Sequence, residues 1–226
     1  MCGIVGFSGK IESHEQLLVL QQVLVESRIR GMHASGIVWS DGKALHSTVK
    51  PIPIDKLVSE FDWTPLFNKK ISLIAHARYS TSDIRYNQPI VGEKMAIAHN
   101  GVITQSNPKN WEKQYGYKCK TQNDSELLLR ALESGDNIWD VFPDSSIAFV
   151  AISKSGQMIY GRNGARPLWL GMIGDNTVYA STYHILSKAG AKDITKVTPT
   201  DYKELQRRNC TQWEIRRVPI VSNGKE

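Results

Sequence analysis

The chain has 226 residues, 41% of them hydrophobic and 22% charged, with 28 Lys+Arg against 22 Asp+Glu and a formal net charge of +6. That length suits one large domain with a sizeable core, or at most two small ones, and the ordinary composition excludes a low-complexity or repeat chain. The moderate positive charge permits an acidic partner without requiring one, and a nucleic-acid partner is not expected. Cys2, Cys119 and Cys210 are an odd number at no metal-ligand spacing, and no leader peptide or membrane-length apolar run is recognisable. The expectation is a reducing, cytoplasmic setting with no membrane span, no metal and no cofactor.

In chain order, the first stretch is Met1-Cys2-Gly3-Ile4-Val5-Gly6-Phe7. Removal of Met1, which a small following side chain permits, would leave Cys2 with both a thiol and a free α-amino group. Unperturbed pKa values of about 8.5 and about 8 let the proton pass between them for only ~1 kcal/mol, so one residue supplies nucleophile and base. The apolar Ile4-Val5-Gly6-Phe7 run reads as a buried strand that would hold this terminus in the core. An ordinary N-terminal strand without chemistry fits the same residues.

A helix is predicted over residues 15–30, with Leu17, Leu20, Val23 and Leu24 at helical spacing, Ser13 as N-cap and Gly31 closing the pattern. Residues 36–40 and 44–49 read as a hairpin around Asp41-Gly42. Residues 50–70 are irregular or carry a short helix, 71–77 fit a central strand, and 80–89 are a polar loop. Residues 95–99 form a short strand broken at Asn100-Gly101. A second helix is predicted over 124–132, capped by Asn123 or Asp124. Strands follow at 146–153, 158–161, 168–172 and 177–181, then a short helix at 183–189. The tail is polar and basic, with strand character at 214–218. This run of mostly antiparallel strands suits a layered α/β sandwich better than alternating βαβ units.

Four clusters carry candidate chemistry. Cys2 is the first. His76-Ala77-Arg78-Tyr79-Ser80-Thr81 places a guanidinium at a strand end, where it either clamps a carboxylate or saturates an acidic neighbour. Asn100-Gly101 combines a side-chain amide with a glycine N–H, as an oxyanion hole requires, yet Asn-Gly is also a common turn. Asp124 either pairs with a substrate ammonium or caps the helix that follows.

In combination these pieces resemble the class II glutamine amidotransferase (glutaminase) domain of the N-terminal-nucleophile hydrolases. Cys2-Gly3-Ile4-Val5-Gly6, Arg30-Gly31, the His76–Thr81 stretch, Gln88-Pro89, Ala98-His99-Asn100-Gly101 and Asp124-Ser125-Glu126 fall in the family order. Gly164-Ala165-Arg166-Pro167-Leu168 and Ala180-Ser181 look like the corresponding stretches of amidophosphoribosyltransferase glutaminase domains. The resemblance covers roughly the first 190 residues. It implies an α+β fold, a four-layer αββα sandwich, and L-glutamine as substrate. It further implies Cys2 as nucleophile with its own amine as base, and Asn100 with the Gly101 N–H as oxyanion hole. Arg78, helped by Thr81, would grip the α-carboxylate, and Asp124 would take the α-ammonium. Independently, free glutamine presents a carboxylate, an ammonium and an amide, and the sequence offers one complementary group for each.

Two departures stand out. In relatives an Asp usually follows two residues after the Arg-Gly; here that place is His33. His33, His76 and His99 are read as structural. There is also no phosphoribosyl-pyrophosphate-type loop, sugar-isomerase-like domain or ATP-pyrophosphatase loop, and the residues after Gly190 are too few for a synthetic domain. The expectation is one glutaminase domain over 1–226, with 191–226 a polar, basic extension. Ammonia would pass to a separate synthase subunit, and Arg207, Arg208, Arg216 and Arg217 either dock that partner or form a solvated face. Two alternatives use the same groups: a γ-glutamyl amidase or peptidase, and a catalytically silent binding module.

Overall fold

The computed structural model of the chain describes residues 2–79 and 86–199. β1 (Gly3–Lys10) leads into α1 (His14–Glu26), where Ser13 Oγ accepts the Gln16 N–H at 3.1 Å, and then a 3₁₀ turn over Ser27–Arg30. β2 (Ala34–Ser40) and β3 (Leu45–Lys50) form the expected hairpin, its turn held by Asp41 Oδ1 accepting from the Lys43 and Ala44 N–H groups. After α2 (Ile54–Glu60) come β4 (Lys70–Arg78), β5 (Ile90–Val91) and β6 (Met95–Val102). Three helices follow, α3 (Trp111–Tyr115), α4 (Ser125–Ser134) and α5 (Ile138–Val141). The chain then runs through β7 (Ser146–Ser153), β8 (Met158–Arg162), β9 (Trp169–Ile173), β10 (Asn176–Ala180), α6 (Tyr183–Lys188) and β11 (Lys192–Lys196).

These strands form a seven-stranded sheet in the order β11-β9-β10-β1-β4-β2-β3 and a four-stranded sheet in the order β5-β6-β7-β8. Every pairing between them is antiparallel. Strand alternation sorts the apolar residues into three layers. Val5 and Phe7 of β1 and Leu73 and Ala75 of β4 pack under α1, α2 and α6, against Leu20, Leu24, Leu57 and Ile185. Ile147, Phe149 and Ala151 of β7 pack under α4, against Leu127 and Leu128. The residues between them point the other way: Ile4, Ile74, Ala98, Ala148 and Val150 fill the space between the sheets. Three apolar interfaces separate four layers, giving the αββα sandwich. Gly6 belongs to the middle interface, where an added Cβ would press on Val150 Cγ1 at 3.2 Å.

Three sequence expectations change. The Asn100-Gly101 pair is no turn: β6 continues through it, with Asn100 opposite Ala148 and Gly101 opposite Ile147. Turn propensity loses here to pairing with an eight-residue partner strand. Gly31 is extended rather than a left-handed helix cap. A side chain there would strike the backbone of Arg78 and Tyr79, so the glycine serves a close approach between segments. The stretch read as an extension from residue 191 contributes β11, the outer strand of the larger sheet. Its sequence Lys-Asp-Ile-Thr-Lys carries the charges that suit an exposed edge, and these mask the strand signal. The strand read at 214–218, the four tail arginines and Cys210 lie outside the described residues.

Candidate active site

The site forms at one end of the sandwich, where β1 begins and β4 and β6 finish. Strand parity puts the side chains of His76, Arg78 and Asn100 on the faces that line the space between the sheets, as for Ile74 and Ala98. At this end that space opens into a cleft of about 600 Å³. Cys2, Arg78, Asn100, Gly101 and Asp124 all line it. Residues from four separate stretches of sequence are thereby gathered in one place. Thr81 lies outside the described residues.

Cys2 is half-buried, and its Sγ lies 3.9 Å from the Tyr79 carbonyl oxygen. Arg30 Nε donates to the Cys2 carbonyl at 2.8 Å, while the Ile4 N–H donates to Ser181 Oγ at 2.8 Å. The start of β1 is therefore tied from both sides. Gly3 is required by packing, since a Cβ there would sit 2.8 Å from the Ser27 carbonyl oxygen. Arg30, at the end of the 3₁₀ turn, has its pKa lowered chiefly by burial.

Asn100 is buried, and its Nδ2 has no hydrogen-bond partner among the described residues. Leaving a buried amide donor unpaired costs about 1–3 kcal/mol, so an unpaired donor on a cleft wall is a position prepared for an acceptor. Gly101 adopts φ +155°, and a Cβ there would collide with the Ser146 carbonyl. Ile147 bonds to Asn163 through both its N–H and its C=O, on the side away from β6. By strand alternation the Gly101 N–H then lies on the open edge of β6, the edge on which the His99 N–H donates to Gln88 Oε1 at 2.7 Å.

That strand end is held by a small network. Gln88 Nε2 donates to Ser125 Oγ at 3.1 Å, and Ser125 Oγ lies 2.8 Å from His99 Nδ1. His99 Nε2 lies 3.3 Å from the Ser146 carbonyl, which is only an acceptor, so Nε2 carries the proton and Nδ1 accepts from Ser125. The ring is neutral, because burial lowers its pKa against the opposing pull of Asp124. His76 is also neutral, its pKa lowered to about 3 by burial and then by the Arg78 charge.

Asp124 precedes α4 but does not cap it through its side chain; Asn123 Oδ1 instead accepts the Ser125 N–H at 3.1 Å. Asp124 Oδ2 accepts from the N–H groups of Ile103 (2.6 Å) and Thr104 (3.4 Å), which fixes the carboxylate at the cleft wall. Arg78 Nη1 donates at 2.7 Å to both the Tyr86 carbonyl and Asn87 Oδ1. Glu126, next to Asp124, turns away from the cleft and pairs with Arg130 at 2.7 Å.

A family model described as a glutamine amidotransferase domain matches residues 76–188, half of the chain. The chain belongs to this glutamine amidotransferase family. Among curated relatives, the isomerizing glutamine–fructose-6-phosphate aminotransferase of Bartonella henselae is 28% identical, over 97% of this chain and 38% of its own length. The amidophosphoribosyltransferase of Bacillus subtilis is 25% identical, over 88% of this chain and 44% of its own. The solved Bacillus subtilis glutamine phosphoribosylpyrophosphate amidotransferase superposes with a TM-score of 0.66 at 25% identity, covering 88% of this chain and 46% of that one. The chain thus spans less than half the length of these relatives. Its class II glutamine amidotransferase character and its sandwich, that of the N-terminal-nucleophile glutaminases, follow from these matches. Among the described residues no helix is long and apolar enough to cross a membrane, and no cluster of His, Cys, Asp and Glu could hold a metal ion. Sequence reasoning missed the parts that hold the end of β6: Gln88 and Ser125 sit in quoted motifs, but nothing in a motif says which way a side chain faces.

Proposed function

We propose that the chain is a single glutaminase domain that hydrolyses L-glutamine to glutamate and ammonia through a thioester on Cys2. The observation that carries this reading is the unpaired Asn100 Nδ2 beside the Gly101 N–H edge, in the same cleft as the Cys2 thiol. With Met1 removed, the Cys2 amine takes the thiol proton and the sulfur attacks the γ-amide carbon. Asn100 and the Gly101 N–H stabilise the tetrahedral oxyanion. The proton passes to the departing nitrogen, ammonia leaves, and water activated by the same amine releases glutamate. Arg78, with Thr81, holds the α-carboxylate, and Asp124 holds the α-ammonium.

In this reading the chain works as a stand-alone subunit, and the ammonia serves a separate synthase. The relatives named above are named as transferases, which supports ammonia transfer as the purpose of the hydrolysis. The test is glutamate and ammonia release from glutamine by the parent and by Cys2→Ser, with intact mass to verify that Met1 is gone. The parent is expected to release both in equal amounts and to be labelled at Cys2 by a glutamine-like electrophile. Cys2→Ser is expected to lose activity by several orders of magnitude. Unchanged glutamate release in Cys2→Ser overturns the proposal. Faster turnover of a γ-glutamyl dipeptide than of glutamine replaces it with a γ-glutamyl amidase.

A further inference from the structure

A second guanidinium besides that of Arg78 lines the cleft that Cys2, Asn100 and Gly101 also line: that of Arg166, in the turn between β8 and β9. This turn is built with unusual care. The buried Arg162 donates from Nε to the Arg166 carbonyl, from Nη2 to the Gly164 carbonyl and from Nη1 to the Val197 carbonyl. Asn163 fastens the same turn to β7, donating to the Ser145 carbonyl at 2.6 Å and accepting from the Ile147 and Ala165 N–H groups. Arg166 itself donates through Nε to Ser146 Oγ at 3.3 Å. That hydroxyl also accepts the Val102 N–H at 3.0 Å, one residue beyond Gly101. No acidic group pairs with Arg166 among the described residues. Its charge does reach Arg30 and His99, where it disfavours the protonated forms, and Cys2 acts on the same Arg30.

We infer that Arg166 is an electrostatic positioning residue for Cys2, holding a fixed positive charge at the reacting end of the cleft. The inference rests on the Cys2 reading above. A cation in that place favours the thiolate that attacks and keeps the amine neutral, ready to take the thiol proton. The other charged and titratable groups around Cys2 are Arg30 from the 3₁₀ turn, Arg78 and Tyr79 from the end of β4, His99 from β6, and Asp124 ahead of α4. Tyr86 also lines the cleft, and His33 packs on Tyr79 with tilted rings 5.1 Å apart. Arg30, which donates to the Cys2 carbonyl, and Arg78, which donates to the Tyr86 carbonyl and Asn87 Oδ1, work in the same direction as Arg166 and remain in place in every Arg166 variant.

The competing explanation is that Arg166 merely ties its turn to Ser146. Arg166→Gln separates the two, because a glutamine amide can still reach a hydroxyl but carries no charge. The readout is the acid limb of the kcat/KM profile, together with the pH dependence of iodoacetamide alkylation at Cys2. In Arg166→Gln both are expected to move to higher pH by roughly half to one unit, the size of one charge acting across a half-exposed site. Arg166→Lys should keep the parent positions, and raised salt should move the parent limb upward. Arg166→Met gives the same comparison should the Gln variant not fold. Limbs that coincide in parent and neutral variants, whatever happens to kcat, overturn the inference. Activity that survives Cys2→Ser fails the underlying reading instead.

Discussion

At the end of the sandwich away from the cleft, the polar groups between the sheets satisfy one another. Ser72 of β4 donates to the Gly156 carbonyl and lies 3.4 Å from Ser8 Oγ of β1; Ser40 of β2 donates to the Lys154 carbonyl at 2.7 Å and accepts the Gly42 N–H. These bonds join the larger sheet to the β7–β8 turn of the smaller. At the cleft end Asn100 Nδ2 of β6 and Arg30 Nη2 of the 3₁₀ turn are buried without a partner among the described residues. One end is closed by hydrogen bonds, and the other holds donors back from them. Since each buried unpaired donor costs about 1–3 kcal/mol, the contrast marks where stability is given up for a ligand's sake.

The sharpest way to break this contrast is Asn100→Ala. It is expected to lower kcat by roughly 10²–10³-fold with little change in KM. Melting temperature should barely change, since the deleted Nδ2 donates to nothing among the described residues. A melting temperature that falls with activity intact reverses the assignment. Asp124→Ala should mainly raise KM, by about ten- to a hundredfold, the loss of one charge-assisted contact. It should also lower stability, because the Ile103 and Thr104 N–H groups lose their acceptor. Equal, small kinetic effects in these two variants count against both roles.

A pH experiment probes the burial of His76. Its folded pKa is lowered to about 3, so between the unfolded value near 6.5 and about 3 the unfolded chain binds more protons. Its contribution to stability is complete above about pH 6.5 and declines as the pH falls. In His76→Leu, unfolding free energies from denaturant titrations at pH 7 and pH 5 should differ less than in the parent, by roughly 2 kcal/mol. His99 keeps its own contribution in both proteins. The smallest effect is expected at the closed end: Ser72→Ala should cost ~1 kcal/mol of stability and leave kcat/KM unchanged. A kinetic defect there would show that the two ends are coupled.

Much of this was legible in one dimension because local signals agreed with the fold. Ser13 caps α1, Asp41-Gly42 turns a hairpin, and the long apolar strands β4 and β7 lie within a residue or so of their expected bounds. Short elements escaped. β5 has two residues and α5 four, too few for any periodicity to register. The site was legible as a set of residue types, since a substrate with three polar ends calls for three complementary groups.

The sequence by itself determined the strand alternation, and with it which residues of β1, β4 and β7 face a helix layer and which face the other sheet, because side-chain direction in a strand has a period of two. It also determined which chemical groups the chain possesses. Only the tertiary structure decided that Asn100-Gly101 stays in a strand rather than turning, and that Asp124 faces the cleft rather than its helix. It alone put Arg166 and Cys2 on the walls of one cleft. These outcomes depend on partners far away in sequence, and no local propensity records them.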